Sequence, residues 1–407
     1  MVKHIYTSID IGTDTTKVVV MELYKGKLNL LAASSIKSMG IKKGLITNVD
    51  EAAFSIRKAI SEVEGMLGFK IHKVLVNIPS YMAEFVKIEG QIRIDSFDSV
   101  ITGKHISQVL DKALKNANFS KEIVSVVPID FIVDEQSLIK DPKGLTGDIL
   151  GVRAVVTLVP KKNVYSVANL IDSLGLEIVD ISTNGNSDIN AFKNKDIDLK
   201  LGAIINIGYD ITDVSICNKG IIIKNSIIGM GGRNIDNDLS YMYKLDINDV
   251  VKIKESFALA HKRDANKMEF YSVNDLKINQ FEITDVVMSR IEEILSLAKK
   301  EITNLANRKM DYVIVTGGVS NMDGFQYVVD DVFLKNAQVG NVNIIGIRDN
   351  RYSSCIGNII YYINHLKLLG LSDSMVSDDL IFNDDNNESM LGKVFGYFFG
   401  DTNEEEM

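Results

Sequence analysis

Cysteine is scarce in this chain. Only Cys217 and Cys355 occur in 407 residues, a count that fits a reducing cytoplasm rather than a disulfide-stapled scaffold. Both lie in apolar stretches and read as small core residues. No histidine or cysteine cluster accompanies them, so no metal site is expected there. No apolar run reaches the roughly 20 residues needed to span a bilayer. The first strand begins almost at once, so no targeting segment is expected. Short tandem repeats are absent as well. The chain also lacks a basic field. Its net charge is -9, and residues 371–407 hold ten acidic residues against the single basic Lys393. That tail carries the whole imbalance, so residues 1–370 are formally neutral and nucleic acid is not an expected partner.

What is present is an ordinary globular composition, 46% apolar and 24% charged, on a chain long enough for more than one domain. Two glycine-turn segments stand out. Residues 8–20, SIDIGTDTTKVVV, and residues 203–216, AIINIGYDITDVSI, each read as an apolar strand, a tight turn and a second strand. Glycine lets backbone approach an anion closely, and successive turn N–H groups form an anion-binding concavity. One such hairpin is usually only a turn. A pair in two halves of one chain is able to grip a polyphosphate from both sides. A third segment, residues 312–325, YVIVTGGVSNMDGF, runs from a buried strand through a Gly-Gly turn toward a helix, where a flat ring can lie against backbone.

Periodicity supplies the rest of the organisation. Residues 3–31 read as a β-meander. Asp50 is placed to cap a helix running to about Gly65, followed by a short strand at 74–78. Residues 84–160 form a second α/β unit, with a helix over 104–117 and strands near 123–133 and 149–159. Helix 162–174 and strand 176–181 come next. The polar stretch 184–200 is expected to carry the crossing between halves. Three strands fall in 202–228. Residues 233–299 are helix-rich around a polar loop at 261–270, and a helix over 285–305 has one apolar face. Residues 371–388 read as an acidic linker. Beyond it, Met390, Leu391, Val394, Phe395, Phe398 and Phe399 fall on one face of a helix over 389–399.

These segments together resemble the actin-like ATPase superfamily and, within it, the bacterial cell-division protein family FtsA. Residues 127–134 with 139–147 resemble the subdomain that FtsA inserts. Residues 228–239, IGMGGRNIDNDL, and 252–258, KIKESFA, resemble its nucleotide-side elements. The resemblance runs from about residue 5 to residue 365. It implies an α/β, actin-like duplicated ribonuclease-H-like fold. Residues 1–83 and 161–190 would form the first actin-like subdomain and 84–160 its insertion. Residues 200–232 and 300–370 would form the second, with 233–299 as its insertion.

It also implies ATP and Mg²⁺ as ligands of the cleft. Asp10 would act on Mg²⁺ through water. Gly12, Thr13, Thr15, Thr16 and Gly208 would line the phosphates. Lys17 would face phosphate or lie exposed on its strand. Gly231, Gly232, Lys254, Gly317 and Gly318 would line the adenosine side. The family usually has aspartate and several glycines in the second turn, where this chain has Asn206 and then Gly208-Tyr209-Asp210. An amide neither orients metal-bound water strongly nor accepts a proton, and Asp210 would add charge beside the phosphates. Asn206, Asp210 and Asp213 are the weak catalytic candidates, and slow turnover at most is expected. Ala258 replaces a family glycine.

The remaining implications concern partners. Arg290 would meet the C-terminal peptide of FtsZ, further copies of the chain would form a filament, and the tail helix would bind plasma-membrane lipid. The place of action would be the cytoplasmic face of the plasma membrane at the division site. A pilus-assembly ATP-binding scaffold is the alternative, and a sugar or acid kinase, which needs a catalytic acid near Asn206, is a weaker one.

Overall fold

The N-terminal meander sits in a sheet whose far edge comes from residues more than a hundred positions later. The computed structural model describes residues 3–376 apart from 96, 97, 343 and 345. Strands β1 (His4–Ile11), β2 (Thr15–Tyr24) and β3 (Lys27–Lys37) are antiparallel neighbours. The small hairpin β4 (Ile41–Lys42) and β5 (Leu45–Ile46) leads to helix α1 (Val49–Leu67) and strand β6 (Lys73–Ile78). Helix α1 buries Ala52, Ile56, Ala59, Ile60 and Val63, spaced at three and four residues, against this sheet. Its cap is Asn48 rather than Asp50. Asn48 Oδ1 accepts from the N–H groups of Asp50 and Glu51, while Asp50 sits in the first turn, where an acid favours the positive helix end.

A separate sheet follows, built from β7 (Glu84–Arg93), β8 (Glu122–Val133), β9 (Gln136–Ile139) and β10 (Ile149–Val159), in the order β7-β10-β8-β9. Helix α2 (Gly103–Lys115) covers it with Ile106, Val109, Leu110 and Ala113, so this unit has a core of its own. The chain then returns through α3 (Lys161–Ser173) and β11 (Glu177–Thr183) to close the first sheet in the order β11-β6-β1-β2-β3.

Helix α4 (Asn184–Phe192) is not evident from sequence, where 184–200 reads as a polar crossing. Its residues Gly185 through Asn190 are buried. The polar side chains are tolerated because they are hydrogen-bonded: Asn186 Nδ2 donates to Ser182 Oγ, Ser187 Oγ to Asn77 Oδ1, and Asn190 Nδ2 to the Asn186 carbonyl.

The second half repeats the first. Strands β12 (Leu201–Ile207), β13 (Thr212–Asn218) and β14 (Ile221–Ile228) form a meander. Helices α5 (Gly232–Tyr243) and α6 (Ile247–Ser256), the hairpin β15 (Phe270–Val273) and β16 (Leu276–Asn279), and helix α7 (Gln280–Leu305) come next. Strand β17 (Tyr312–Thr316), helix α8 (Phe325–Phe333), strand β18 (Ala337–Val339) and helix α9 (Ser353–Leu369) complete it. The sheet order β14-β13-β12-β17-β18 is the first order with each strand replaced by its counterpart. Helix α7 begins at Gln280, capped by Asn279, earlier than the apolar spacing alone indicates. A boundary at 299 therefore falls inside one helix. Residues 233–299 share a single core with the second sheet, unlike the inserted unit of the first half.

The two sheets meet through α4 and α9, the equivalent final helices of the two halves. Gly357 is needed at their contact, because a Cβ there would lie 1.7 Å from the Ser187 carbonyl. A shared core of Tyr6, Val19, Leu75, Ile204, Cys217, Ile314 and Cys355 surrounds them. Burial pushes the thiols of both cysteines up, out of any reactive range.

The acidic segment starts differently from a free linker. Strand β6 pairs with β1 only along Ser8–Asp10, which leaves His4–Thr7 with an open edge. Residues 373–376 cover it: Met375 N–H donates to the Ile5 carbonyl, Ile5 N–H to Ser374 Oγ, and Tyr6 Oη to the Asp373 carbonyl. Met375 and Val376 are buried. The rest of the linker and the helix expected over 389–399, with Phe395 at its centre, lie outside the described residues.

A candidate site in the cleft between the two sheets

The two glycine turns face each other across a cleft of about 460 Å³. In the first, the register places Asp10 directly opposite Lys17 and Ile11 opposite Thr16. Gly12 is required where the turn doubles back, since a Cβ would lie 2.7 Å from the Thr15 carbonyl. Strand alternation decides which side chains face the cleft. Thr15 and Lys17 line it, as do Asp10, Gly12 and Thr13. Thr16 does not; it is fully buried on the other face, bonded to Ser38 Oγ. Lys17 is not an exposed strand lysine either. Its ammonium lies 2.7 Å from Asp10 Oδ2 in a part-buried ion pair. Burial opposes its charge, but Asp10 outweighs burial and the lysine pKa is raised.

The second turn departs from the sequence expectation in its charge. Asp210 is not on the cleft wall. Its Oδ1 lies 2.6 Å from Arg233 Nε, in an ion contact without hydrogen-bond alignment, and its Oδ2 accepts from the Lys43 N–H of the first half. It is neutralised and aimed sideways, so the repulsion expected at the phosphate position does not come from it. Tyr209 stays on the cleft with its ring between Arg233 and Lys37. Asp213 does line the cleft. It accepts from Ser215 Oγ and Asn225 Nδ2, and burial raises its pKa. Asn206 and Gly208 stand beside it.

In the same half, Lys254 of α6 is paired with the fully buried Asp236 at 2.6 Å while still lining the cleft. Gly232, Gly317 and Gly318 line the cleft too. Gly317 has φ +96°, and a Cβ on it would meet the Ile207 carbonyl at 2.4 Å, whereas Gly318 has open space before it. Gly231 lies behind the wall. It lets α5 begin hard against the second turn, where a Cβ would lie 2.4 Å from the Gly208 carbonyl.

Several cleft residues escape the sequence reading. Asn184, Asn77, Arg351 and Ser354 line it, and Asp188 lies behind. The available signal was the small-residue spacing Ser187–Ala191 and Ser353–Gly357, which marks two helices in close contact. No group of three His, Cys, Asp or Glu side chains among the described residues is disposed to hold a metal directly. No helix among them is long and apolar enough to cross a membrane.

Arg290 lies well inside α7, not at a helix start. Its guanidinium binds Asp238 Oδ1 and Oδ2 at 2.8 and 2.5 Å and Glu293 at 2.5 Å. Asp238, Asp285 and Glu293 surround it in a shallow hollow, and Lys299 donates to the Val332 carbonyl. The surface is more acidic than the helix sequence indicates.

Comparison with known proteins decides the family. The family model described as cell division protein FtsA matches residues 203–357, and the model of the SHS2 domain inserted in FtsA matches residues 83–158. The chain belongs to the FtsA family. The cell division protein FtsA of Bacillus subtilis is 29% identical over 375 residues, covering 90% of this chain and 85% of that protein. FtsA of Staphylococcus epidermidis is 26% identical over 421 residues, covering 100% and 90%. Among solved structures, the PilM–PilN type IV pilus biogenesis complex aligns with TM-score 0.57 at 12% identity, covering 89% of this chain and 98% of that one. MreB5 of Spiroplasma citri bound to ADP aligns with TM-score 0.54 at 15% identity, covering 90% and 98%. At such identities these two establish the actin-like fold alone. The FtsA matches therefore outweigh the pilus likeness.

Proposed function

We propose that this FtsA-family protein binds ATP in the cleft, assembles with copies of itself, and tethers FtsZ filaments to the inner face of the plasma membrane. One observation carries the nucleotide part. Two glycine turns from two duplicated sheets converge on one cleft, with Gly12 and Gly317 at points where no Cβ fits. The residues suit a nucleotide. Lys17 supplies a cation for phosphate, Thr13 and Thr15 supply hydroxyls, and Lys254 and the open face of Gly318 stand where the adenosine side would lie.

The same residues suit Mg²⁺ only as an ion carried by phosphate and water. Asp10 is already paired with Lys17, so it is placed to hold metal-bound water rather than the ion itself. Bound there, Mg²⁺ would neutralise phosphate charge. Asn206 provides no base, which supports a nucleotide that clamps the halves more than one that turns over. The halves already touch at the cleft mouth through Lys43 to Asp210.

Membrane attachment and FtsZ capture follow from the family and from the apolar face of residues 389–399. At Arg290, an acidic peptide would have to displace Asp238 and Glu293. Co-pelleting with liposomes and FtsZ, with and without ATP, tests the whole reading. The full chain should pellet with both. Phe395→Glu, or removal of 389–407, should release it from liposomes while leaving nucleotide binding intact. Flotation of the truncated protein equal to that of the full chain would refute the tail as anchor. Wild-type turnover comparable with a metabolic enzyme, on the order of 10 per second, would refute the scaffold reading.

A further inference from the structure

The most unusual charged group near the cleft is one that lines nothing. Asp188 on α4 is completely buried. Its Oδ1 accepts from Ser353 Oγ and Ser354 Oγ, both at 2.8 Å, and its Oδ2 accepts from Asn206 Nδ2 at 2.6 Å. All three donors are neutral. The contacts join the two halves, since Asn206 lies near the end of β12, the serines open α9, and α4 closes the first half.

This arrangement removes the ambiguity in an amide. An ionised carboxylate accepts only, so above its pKa Asp188 requires Asn206 to keep the observed orientation, with its nitrogen inward and its carbonyl oxygen outward. That oxygen points at the Gly317 turn, close enough that a Cβ on Gly317 would lie 2.6 Å away. The register also sets Asn206 opposite Asp213. A carboxylate at 206 would thus face one acid across the ladder and a second one behind it. An amide is the residue that fits between two carboxylates.

We propose that Asp188 is a positioning residue for the cleft, holding Asn206 carbonyl-outward toward the Gly317 turn and tying that orientation to the start of α9. Ligand contact at Asn206 is thereby coupled to the helix pair that joins the two halves. The coupling to ligand rests on the nucleotide reading above, while the orientation itself belongs to the protein alone.

The test uses the full chain, in the variants Asn206→Asp, Asp188→Asn and the two combined as a double exchange. In the exchange, the amide now at position 188 offers its oxygen to the serines and its nitrogen to the carboxylate now at position 206. The 2.6 Å contact is thereby restored with reversed polarity. Thermal unfolding without ligand is read first. At pH 8, Asn206→Asp should lower Tm by roughly 5 °C, because two carboxylates then touch. At pH 6 the loss should shrink, because the pair shares a proton. The other groups facing Asp188 are Asp213 and Cys217 of β13 and the two serines, and all are unchanged in these variants. The double exchange should recover most of the loss.

Titration with a fluorescent ATP analogue is read second. Asn206→Asp should weaken binding at least tenfold at pH 8, with the double exchange recovering it. An exchange no more stable than Asn206→Asp would overturn the proposal. So would Asn206→Asp with wild-type Tm at pH 8. A wild type that binds no nucleotide but shows the stability pattern would refute the nucleotide reading and leave Asp188 as the orienting group.

Discussion

The two glycine turns are copies of one device, yet their charges are arranged in opposite ways. In the first, an acid stands across the ladder from a base, Asp10 from Lys17. In the second, an amide stands across from an acid, Asn206 from Asp213, with a further acid behind it. Both turns join antiparallel strands in the same place in their sheets. What differs is the partner that each side chain finds, and the partner decides whether charge faces the cleft, is neutralised, or is held out of sight. Asp210 makes the point again. Its sequence position suggests the phosphates, while its contacts with Arg233 and Lys43 place it at the cleft mouth.

The sharpest way to break this asymmetry is to unpair each turn's acid in turn. Asp10→Ala leaves the part-buried Lys17 ammonium without its partner at the cleft wall and should cost about 2–3 kcal/mol in urea unfolding. Its counterpart is a far weaker substitution. Asp210→Ala leaves an Arg233 side chain that is 43% exposed and able to reach water, so it should cost less than about 1 kcal/mol. Equal costs would show that the turns are energetically alike.

The glycines after β17 separate strain from space. Gly317→Ala should cost about 3 kcal/mol, because φ +96° and the Ile207 carbonyl both oppose a Cβ. Gly318→Ala, with nothing near it, should remain within about 0.5 kcal/mol. The same unfolding assay compares them, and a costly Gly318→Ala would refute the open-face description.

The pH dependence sharpens the second turn further. Burial, partly offset by the hydrogen bonds from Asn206, Ser353 and Ser354, raises the Asp188 pKa from 3.8 to about 7. The folded state therefore keeps a proton that the unfolded chain has already lost. Its stabilising effect is present on the acid side and disappears as pH rises through the folded value. The loss from this group should be about 2 kcal/mol between about pH 5.5 and pH 7.5. Asp188→Asn should flatten that part of the profile, leaving the slope due to Asp213 and Asp180, whose pKa values burial also raises. An unchanged slope would assign the dependence to those two.

Much of this protein is legible in its residues because the signals are local. The alternation in β1 to β3, the 3.6-residue spacing in α1, and the Gly-Asp and Gly-Gly turns each depend on neighbours a few positions apart. They are enough to place the paired turns, the inserted unit and the family. The Gly12 and Gly317 turns come from the same local signals, whereas Lys254 enters only through the resemblance to FtsA and the pairing of Lys17 with Asp10 shows only in the fold.

The failures have one physical cause. Asn48 takes the cap from Asp50 because the oxygen that reaches two N–H groups wins, whatever the side chain's charge. Helix α4 is passed over because polar residues usually mark surface, yet here the donors and acceptors of Asn77, Ser182, Ser353 and Ser354 make burial tolerable. Residues 373–376 read as linker because nothing in them shows that β1 has a bare edge to cover. The sequence by itself determined the strands and the turns, since backbone sterics act over a few residues, whereas the contacts that exclude a Cβ at Gly317 and Gly357 come from Ile207 and Ser187, far along the chain. Which carboxylate faces the cleft was decided only by tertiary structure. A side chain's charge is set by partners within a few ångströms, and for Asp188 one of those partners is contributed from 166 residues away along the chain.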